Sequence, residues 1–266
     1  MNHVDDWISS QAKELEWRIT WCLAFPTLVP CDIFVDDTDE TTWQLVAFQE
    51  IFSPTSHESK SELSFDFFEN ASLGYGEIAY NSVFTIIEWI KEDGWNPVCE
   101  NTGTLLIDLG SGNGRILFAA ALAHNFDKAV GVEIQPELHQ DAMENLDKWN
   151  QRQLYIVDNQ RHDEVTMHKT IFDFYCDDFT RNKFRDMLSE AQLVFIHATV
   201  FDETLMECVN EMCHGCCALG TYFVMVTKPL CSTCTLGSRF STISTRAKLQ
   251  LAMSWGEATV YIQRKV

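Results

Sequence analysis

Basic residues are scarce in this chain: 19 Lys plus Arg stand against 39 Asp plus Glu in 266 residues, a formal net charge of −20 at pH 7. A surface of that sign repels phosphate backbones, so any nucleic-acid role needs a local basic patch or a protein intermediary. Long apolar runs are missing as well. No stretch reaches the roughly 18 apolar residues of a membrane span. Met1 to Ser10 lacks the basic start and apolar stretch of a signal peptide, so the reading is a soluble intracellular chain without a membrane partner. The ten Cys are then expected as reduced thiols. Repeats with periods of about 20–50 residues are absent, which excludes a solenoid. What is present suffices for a large core: 46% of residues are hydrophobic and eight are Trp, a composition incompatible with disorder of the whole.

The charge is uneven. Residues 1–70 carry fourteen acids against three bases, whereas Lys228 to Val266 holds six bases and one acid, Glu257. The first stretch mixes a helix-compatible pattern (Trp7, Leu15, Ile19, Leu23) with an acidic turn-rich segment and a Ser-rich one, and reads as a separate helical and loop region. The division expected is 1–70 and 71–266. The basic C-terminal stretch is the candidate for a weak DNA contact.

From Tyr80 the spacing Tyr80, Val83, Phe84, Ile87 and Ile90 predicts a helix. Short apolar runs follow at Thr104 to Leu109, Ala129 to Glu133, Thr170 to Cys176, Leu193 to Ala198 and Tyr222 to Val226. Helical patterns separate them at Arg115 to Ala123, at Pro136 to Trp149, and after Asp202, a side chain suited to an N-cap. Alternating strands and helices predict an α/β fold with a mainly parallel sheet covered on both faces. The runs Leu249 to Met253 and Ala258 to Ile262, joined by a short link, predict a closing hairpin with the final strand antiparallel.

The chemistry concentrates at the end of the first strand, where Asp108-Leu-Gly110-Ser111-Gly112-Asn-Gly114 runs into a helix. Glycines there let the backbone approach a ligand at the carboxyl edge of the sheet. The spacing is not that of a dinucleotide loop. It suits S-adenosylmethionine, which has an ammonium and a carboxylate to place and no pyrophosphate to neutralise. Glu133, 23 residues after Gly110 at the tip of the second strand, can accept from both ribose hydroxyls. Past the third strand, Asp178 can accept from the adenine amine and Phe179 can stack on the ring; the plainer alternative is a helix N-cap and a core Phe.

Together with Leu73-Gly-Tyr75-Gly76-Glu77 ahead of the first helix, and with Thr227-Lys-Pro-Leu230 and Met253-Ser-Trp255 near the end, this ordered set resembles the disruptor-of-telomeric-silencing (Dot-one type) histone lysine methyltransferases. The likeness covers Leu73 to Val266. It implies the seven-strand class I methyltransferase fold, Rossmann-like with an antiparallel last strand, rather than a SET domain. It further implies that Tyr75 and Glu77 hold the methionine part of S-adenosylmethionine. Asp108, Gly110, Ser111, Gly112 and Arg115 lie beneath it, with Glu133 on the ribose and Asp178 and Phe179 on the adenine. Trp255, Tyr261 and Phe201 are implied as aromatic walls of the lysine channel. Where the family has two Asn after the fourth strand, this chain has His197-Ala198, so His197 is expected either to position the lysine amine or to take its proton. The resemblance is to a short form, expected to lack the Lys-rich DNA-binding extension of larger members.

The function expected is transfer of a methyl group to a lysine in the globular core of histone H3 in nucleosomes, in the nucleus. Two alternatives stand beside it: a methyltransferase for another protein or a small molecule, and a catalytically silent cofactor-binding scaffold. Cys213-x-x-Cys216 and Cys231-x-x-Cys234, with His214 between the first pair, suggest zinc. An intervening strand is expected to hold the pairs about 25 Å apart at ~3.3 Å per residue, so no metal is expected.

Overall fold

The computed structural model describes residues 78–95, 103–159, 170–237, 239–253 and 256–266. The boundary expected after residue 70, and Tyr75, Glu77 and Trp255, lie outside the described residues. In chain order the elements are α1 (Tyr80–Glu92), β1 (Leu105–Leu109), α2 (Arg115–Ala123), β2 (Lys128–Glu133), α3 (Pro136–Asn159), β3 (Ile171–Cys176), α4 (Asn182–Glu190) and β4 (Leu193–His197). A 3-10 turn (Ala198–Val200), α5 (Glu203–Cys216), β5 (Tyr222–Val226), β6 (Thr233–Leu236), β7 (Arg239–Met253) and β8 (Gly256–Lys265) follow.

These strands form one sheet in the order β3-β2-β1-β4-β5-β8-β7-β6. The first five pair in parallel, and β8 runs antiparallel to both β5 and β7. β1 and β5 are buried at every position, as strands covered on both faces must be, and that is why they read as unbroken apolar runs. Leu105, Ile107 and Leu109 pack on one face with Phe184 and Leu188 of α4 and with Val209, Met212 and Cys213 of α5. On the other face Phe118 of α2 meets Trp149 of α3 and Phe172 of β3, with ring centroids 5.5 and 4.8 Å away. The chain builds outward from β1 to β3, then returns to β4 and builds the other way. The crevice outside the carboxyl ends of β1 and β4 is therefore the switch point at which open α/β sheets bind ligands.

The sheet has eight strands rather than seven. β6 is four residues long, too short to stand out, and it pairs with an early part of β7, which begins at Arg239 rather than Leu249. The two Cys pairs are not held apart by β5. His214 Nε2 lies 2.9 Å from the Cys231 carbonyl oxygen and its Nδ1 2.9 Å from Ser241 Oγ, because the chain doubles back toward the end of α5. Both imidazole nitrogens are thus engaged by protein oxygens. Among the described residues no group of three or more His, Cys, Asp or Glu is placed to hold a metal ion. No described helix is long and apolar enough to cross a membrane.

Candidate functional site

Gly110 leaves β1 at φ +87°, a conformation that glycine adopts without the Cβ penalty. The turn is pinned from the neighbouring strand. The N–H groups of Gly110 and Ser111 donate to the Val132 carbonyl at 2.9 and 3.1 Å. Glu133 Oε2 accepts from the Gly112 N–H at 2.9 Å and Oε1 from the Gln135 N–H at 2.8 Å. A carboxylate has about four acceptor sites, so Glu133 braces the loop and still has capacity for a ligand. Gly131 stands opposite Asp108 in the ladder. A Cβ there would come within 2.7 Å of both the Phe174 ring and Ser111 Oγ, so only glycine lets the loop settle. A Cβ on Gly110 would meet only Phe201 Cζ, at 3.8 Å, and the loop is open on that side.

Asp108 is fully buried, and neither of its carboxyl oxygens has a hydrogen-bond partner. Desolvation, and then repulsion from Glu133, push its carboxyl well above the usual carboxylate range, as burial next to a like charge must. Ser111 Oγ is also buried without a partner. Orphaned acceptors beside an open glycine turn call for a cation. S-adenosylmethionine supplies an ammonium, beside which the Asp108 carboxyl can ionise, whereas a pyrophosphate would meet the Glu133 carboxylate and no cation on the loop. The residues present fit the sulfonium nucleoside. Arg115 opens α2, its N–H donating to Asn113 Oδ1 at 3.2 Å.

Beyond β3, Asp178 Oδ1 accepts from the Thr180 N–H and hydroxyl at 2.8 and 2.7 Å, closing a local turn; it is not the N-cap of the plainer reading, since α4 is capped at Arg181. Asp177, which the sequence reading passed over, anchors this segment: its N–H donates to the Glu133 carbonyl at 2.9 Å, and its carboxylate faces Lys183 and Arg181. Those cations hold the Asp177 carboxyl below its ordinary range, Lys183 first. The doublet Asp177-Asp178 was the available signal. Phe179 is buried, with its ring centroid 5.8 Å from that of Phe201, so Phe179, Phe201 and Gly110 converge.

His197 closes β4. Its Nε2 is buried without a partner, and desolvation lowers its pKa, leaving a neutral imidazole at neutral pH. The ladder pairs His197 with Val226, and Val226 with Val260. Tyr261 pairs with Met225 and packs into the cluster that holds Ile196 and Met225. Because side chains alternate along a strand, Tyr261 faces the side opposite His197, with Lys248 Nζ 5.4 Å from its ring centre; the wall expected beside His197 is Val260 instead. Ala198 is wholly buried. Ile78, next after Glu77, bridges to Met253, two residues before Trp255, and Ser82 Oγ donates to the Ala252 carbonyl at 3.0 Å. The start of the described chain, just ahead of α1, is thus tied to the end of β7.

The sheet order, the acid-and-glycine loop and the second-strand acid define an S-adenosylmethionine-dependent methyltransferase of the seven-strand class, with one extra edge strand. The family model described as histone methylation protein DOT1 matches residues 57–255. The chain belongs to that family. A curated protein-lysine N-methyltransferase from Saccharolobus islandicus is 48% identical over 44 residues, which is 16% of this chain and 27% of that protein's length. Among solved structures, an S-adenosylmethionine-dependent methyltransferase from Clostridium acetobutylicum is similar at 9% identity and TM-score 0.45, over 70% of this chain and 92% of that one. A precorrin-6y C5,15-methyltransferase from Geobacter metallireducens is similar at 12% identity and TM-score 0.40, over 62% and 81%.

Proposed function

We propose that this chain methylates a lysine in the globular core of histone H3 within nucleosomes, in the nucleus. The observation that carries the reading is the family match over residues 57–255, which takes in the cofactor loop, His197 and the Met253-Ser-Trp255 end as one set.

S-adenosylmethionine supplies an activated methyl group on sulfur. The protein's part is to align it with the lysine nitrogen and keep water out. Asp108 would hold the ammonium, Glu133, which braces the loop, would take the ribose hydroxyls, and Asp178 and Phe179 would hold the adenine. Gly110, Ser111 and Gly112 would form the floor with Arg115 at its edge, and the family resemblance assigns Tyr75 and Glu77 to the methionine part. A lysine ammonium, with a pKa near 10.4 in water, must lose a proton before it attacks. An aromatic and apolar channel including Trp255 and Phe201 favours the neutral amine. His197 holds that amine in line through its unpartnered Nε2. Of the expected DNA-binding bases, Lys265, Arg246, Arg264, Lys228 and Lys248 each have a partner within the fold, which leaves little free positive charge for direct DNA contact among the described side chains.

One observation favours a second reading. Ala198, where the family has an amide, offers no polar atom to the acceptor, as a silent cofactor-binding scaffold or an enzyme with another acceptor would have it. Labelled methyl transfer to nucleosomes, free histones and a nuclear lysate separates the readings. The expected result is one dominant H3 band, lost when the acceptor lysine is changed to Arg. A dominant non-histone acceptor, or cofactor binding with no transfer, would overturn it.

A further inference from the structure

At the carboxyl end of β5 the backbone does something costly. Thr227 has φ +74°, the one non-glycine residue with positive φ among the described residues. The Lys228 N–H donates to the Val226 carbonyl at 2.9 Å, closing a γ-turn with Thr227 at its centre. Turns of this hand are rare and strained, more so for a β-branched residue. Glycine would adopt the conformation freely, so the side chain must be wanted for itself.

That side chain makes one bond. Thr227 Oγ1 lies 2.8 Å from Thr199 Oγ1, in the 3-10 turn that follows His197. The Thr227 N–H donates to the Thr259 carbonyl at 2.8 Å, and Lys228 Nζ donates to the Phe201 carbonyl. The turn is therefore held from β8 on one side and reaches over to the β4 end on the other, two residues beyond His197 and one beyond its ladder partner Val226. His197, whose Nε2 is buried and unpartnered, is the last residue of β4. Strain of this kind persists where the surroundings overdetermine it, and it gathers at functional sites.

We propose that Thr227 is a positioning residue for methyl transfer: through its hydroxyl bond to Thr199 it fixes the segment that carries His197. This rests on the function proposed above and deepens it. The hydroxyl pair locks the ends of β4 and β5 together, so the imidazole meets the acceptor amine in one orientation. Thr227 acts through Thr199 and contacts neither cofactor nor acceptor.

Three variants test it. Thr227→Gly relieves the turn and removes the hydroxyl; it should melt no lower than wild type, yet lose kcat by about tenfold, the size of one lost hydrogen bond. Thr199→Val removes the other hydroxyl at a residue without positive φ and should match that loss. Thr227→Ser keeps the bond and should stay within about twofold of wild type. Cofactor affinity by calorimetry should be unchanged in all three. The readout independent of any acceptor is the NMR titration of the His197 imidazole, whose midpoint should move toward the ordinary histidine value in Thr227→Gly and Thr199→Val and stay in place in Thr227→Ser. A His197 midpoint unmoved in all three variants, or a parallel loss of cofactor affinity, would overturn the proposal. Absence of methyl transfer by wild-type protein would instead overturn the function, leaving the titration to decide this point.

Discussion

Asp108 shows how one residue can trade stability for binding. In the unfolded chain its carboxyl ionises near pH 4; in the folded protein burial and Glu133 keep the proton on to higher pH. Between those two values the unfolded state has released a proton that the folded state holds, so this residue's contribution to stability falls as pH rises. Asp108→Asn keeps the shape without the titration. It is expected to melt above wild type at pH 8 in the absence of ligand, with the gap closing toward pH 4, and to lose S-adenosylmethionine binding. Calorimetric melts at the two pH values check this, and a gap independent of pH would contradict it. His197 is the second such case. In the proposed role its buried, neutral imidazole positions the acceptor amine, so His197→Ala should lower turnover on the order of ten- to a hundredfold while changing cofactor affinity much less. Initial rates beside calorimetry give both numbers, and equal losses would make His197 a cofactor or folding residue.

Among the elements, legibility in the sequence followed burial. β1 and β5, buried along their whole length, announced themselves as apolar runs, and Asp202 caps α5 as its residue type predicts, accepting from the Leu205 N–H at 2.8 Å. α4 did not announce itself, since only Phe184 and Leu188 of its nine residues are buried, too sparse a stripe to read as a period. The end of α5 is held by a feature no local pattern reveals. Lys265, the last residue of β8, is buried and its Nζ donates to the carbonyls of His214 and Cys217, both at 2.6 Å, and of Cys213 at 3.4 Å. A cation there satisfies the orphan carbonyls of the helix and opposes its dipole. Lys265→Met keeps the length but leaves those carbonyls unpaired, and should destabilise the protein by about 2–3 kcal/mol. Urea titration would show this as a lower midpoint at constant slope.

For the whole molecule, charge decides more than any one contact. The locally basic C-terminal stretch suggested a DNA-facing patch, but the fold pairs several of its bases with its own groups: Arg246 forks onto Asp93 at 2.7 and 2.9 Å, Arg264 lies over the Tyr222 ring, and Lys265 closes α5. With a net charge of −20, the chain should bind naked duplex DNA only weakly, weaker than about 10 μM at physiological salt. Fluorescence anisotropy checks this, and tight salt-sensitive binding would contradict it. What the sequence alone determined was the alternation of the five parallel strands with helices, the glycine turn and the acid after it, because these depend on local periodicity and on backbone conformations that few residue types can adopt. Tertiary structure alone decided that Tyr261 and His197 face opposite sides, that His214 reaches Cys231, and that Thr227 meets Thr199. Each of these depends on register or on a chain reversal that joins residues far apart in sequence, and side-chain type does not encode such distances.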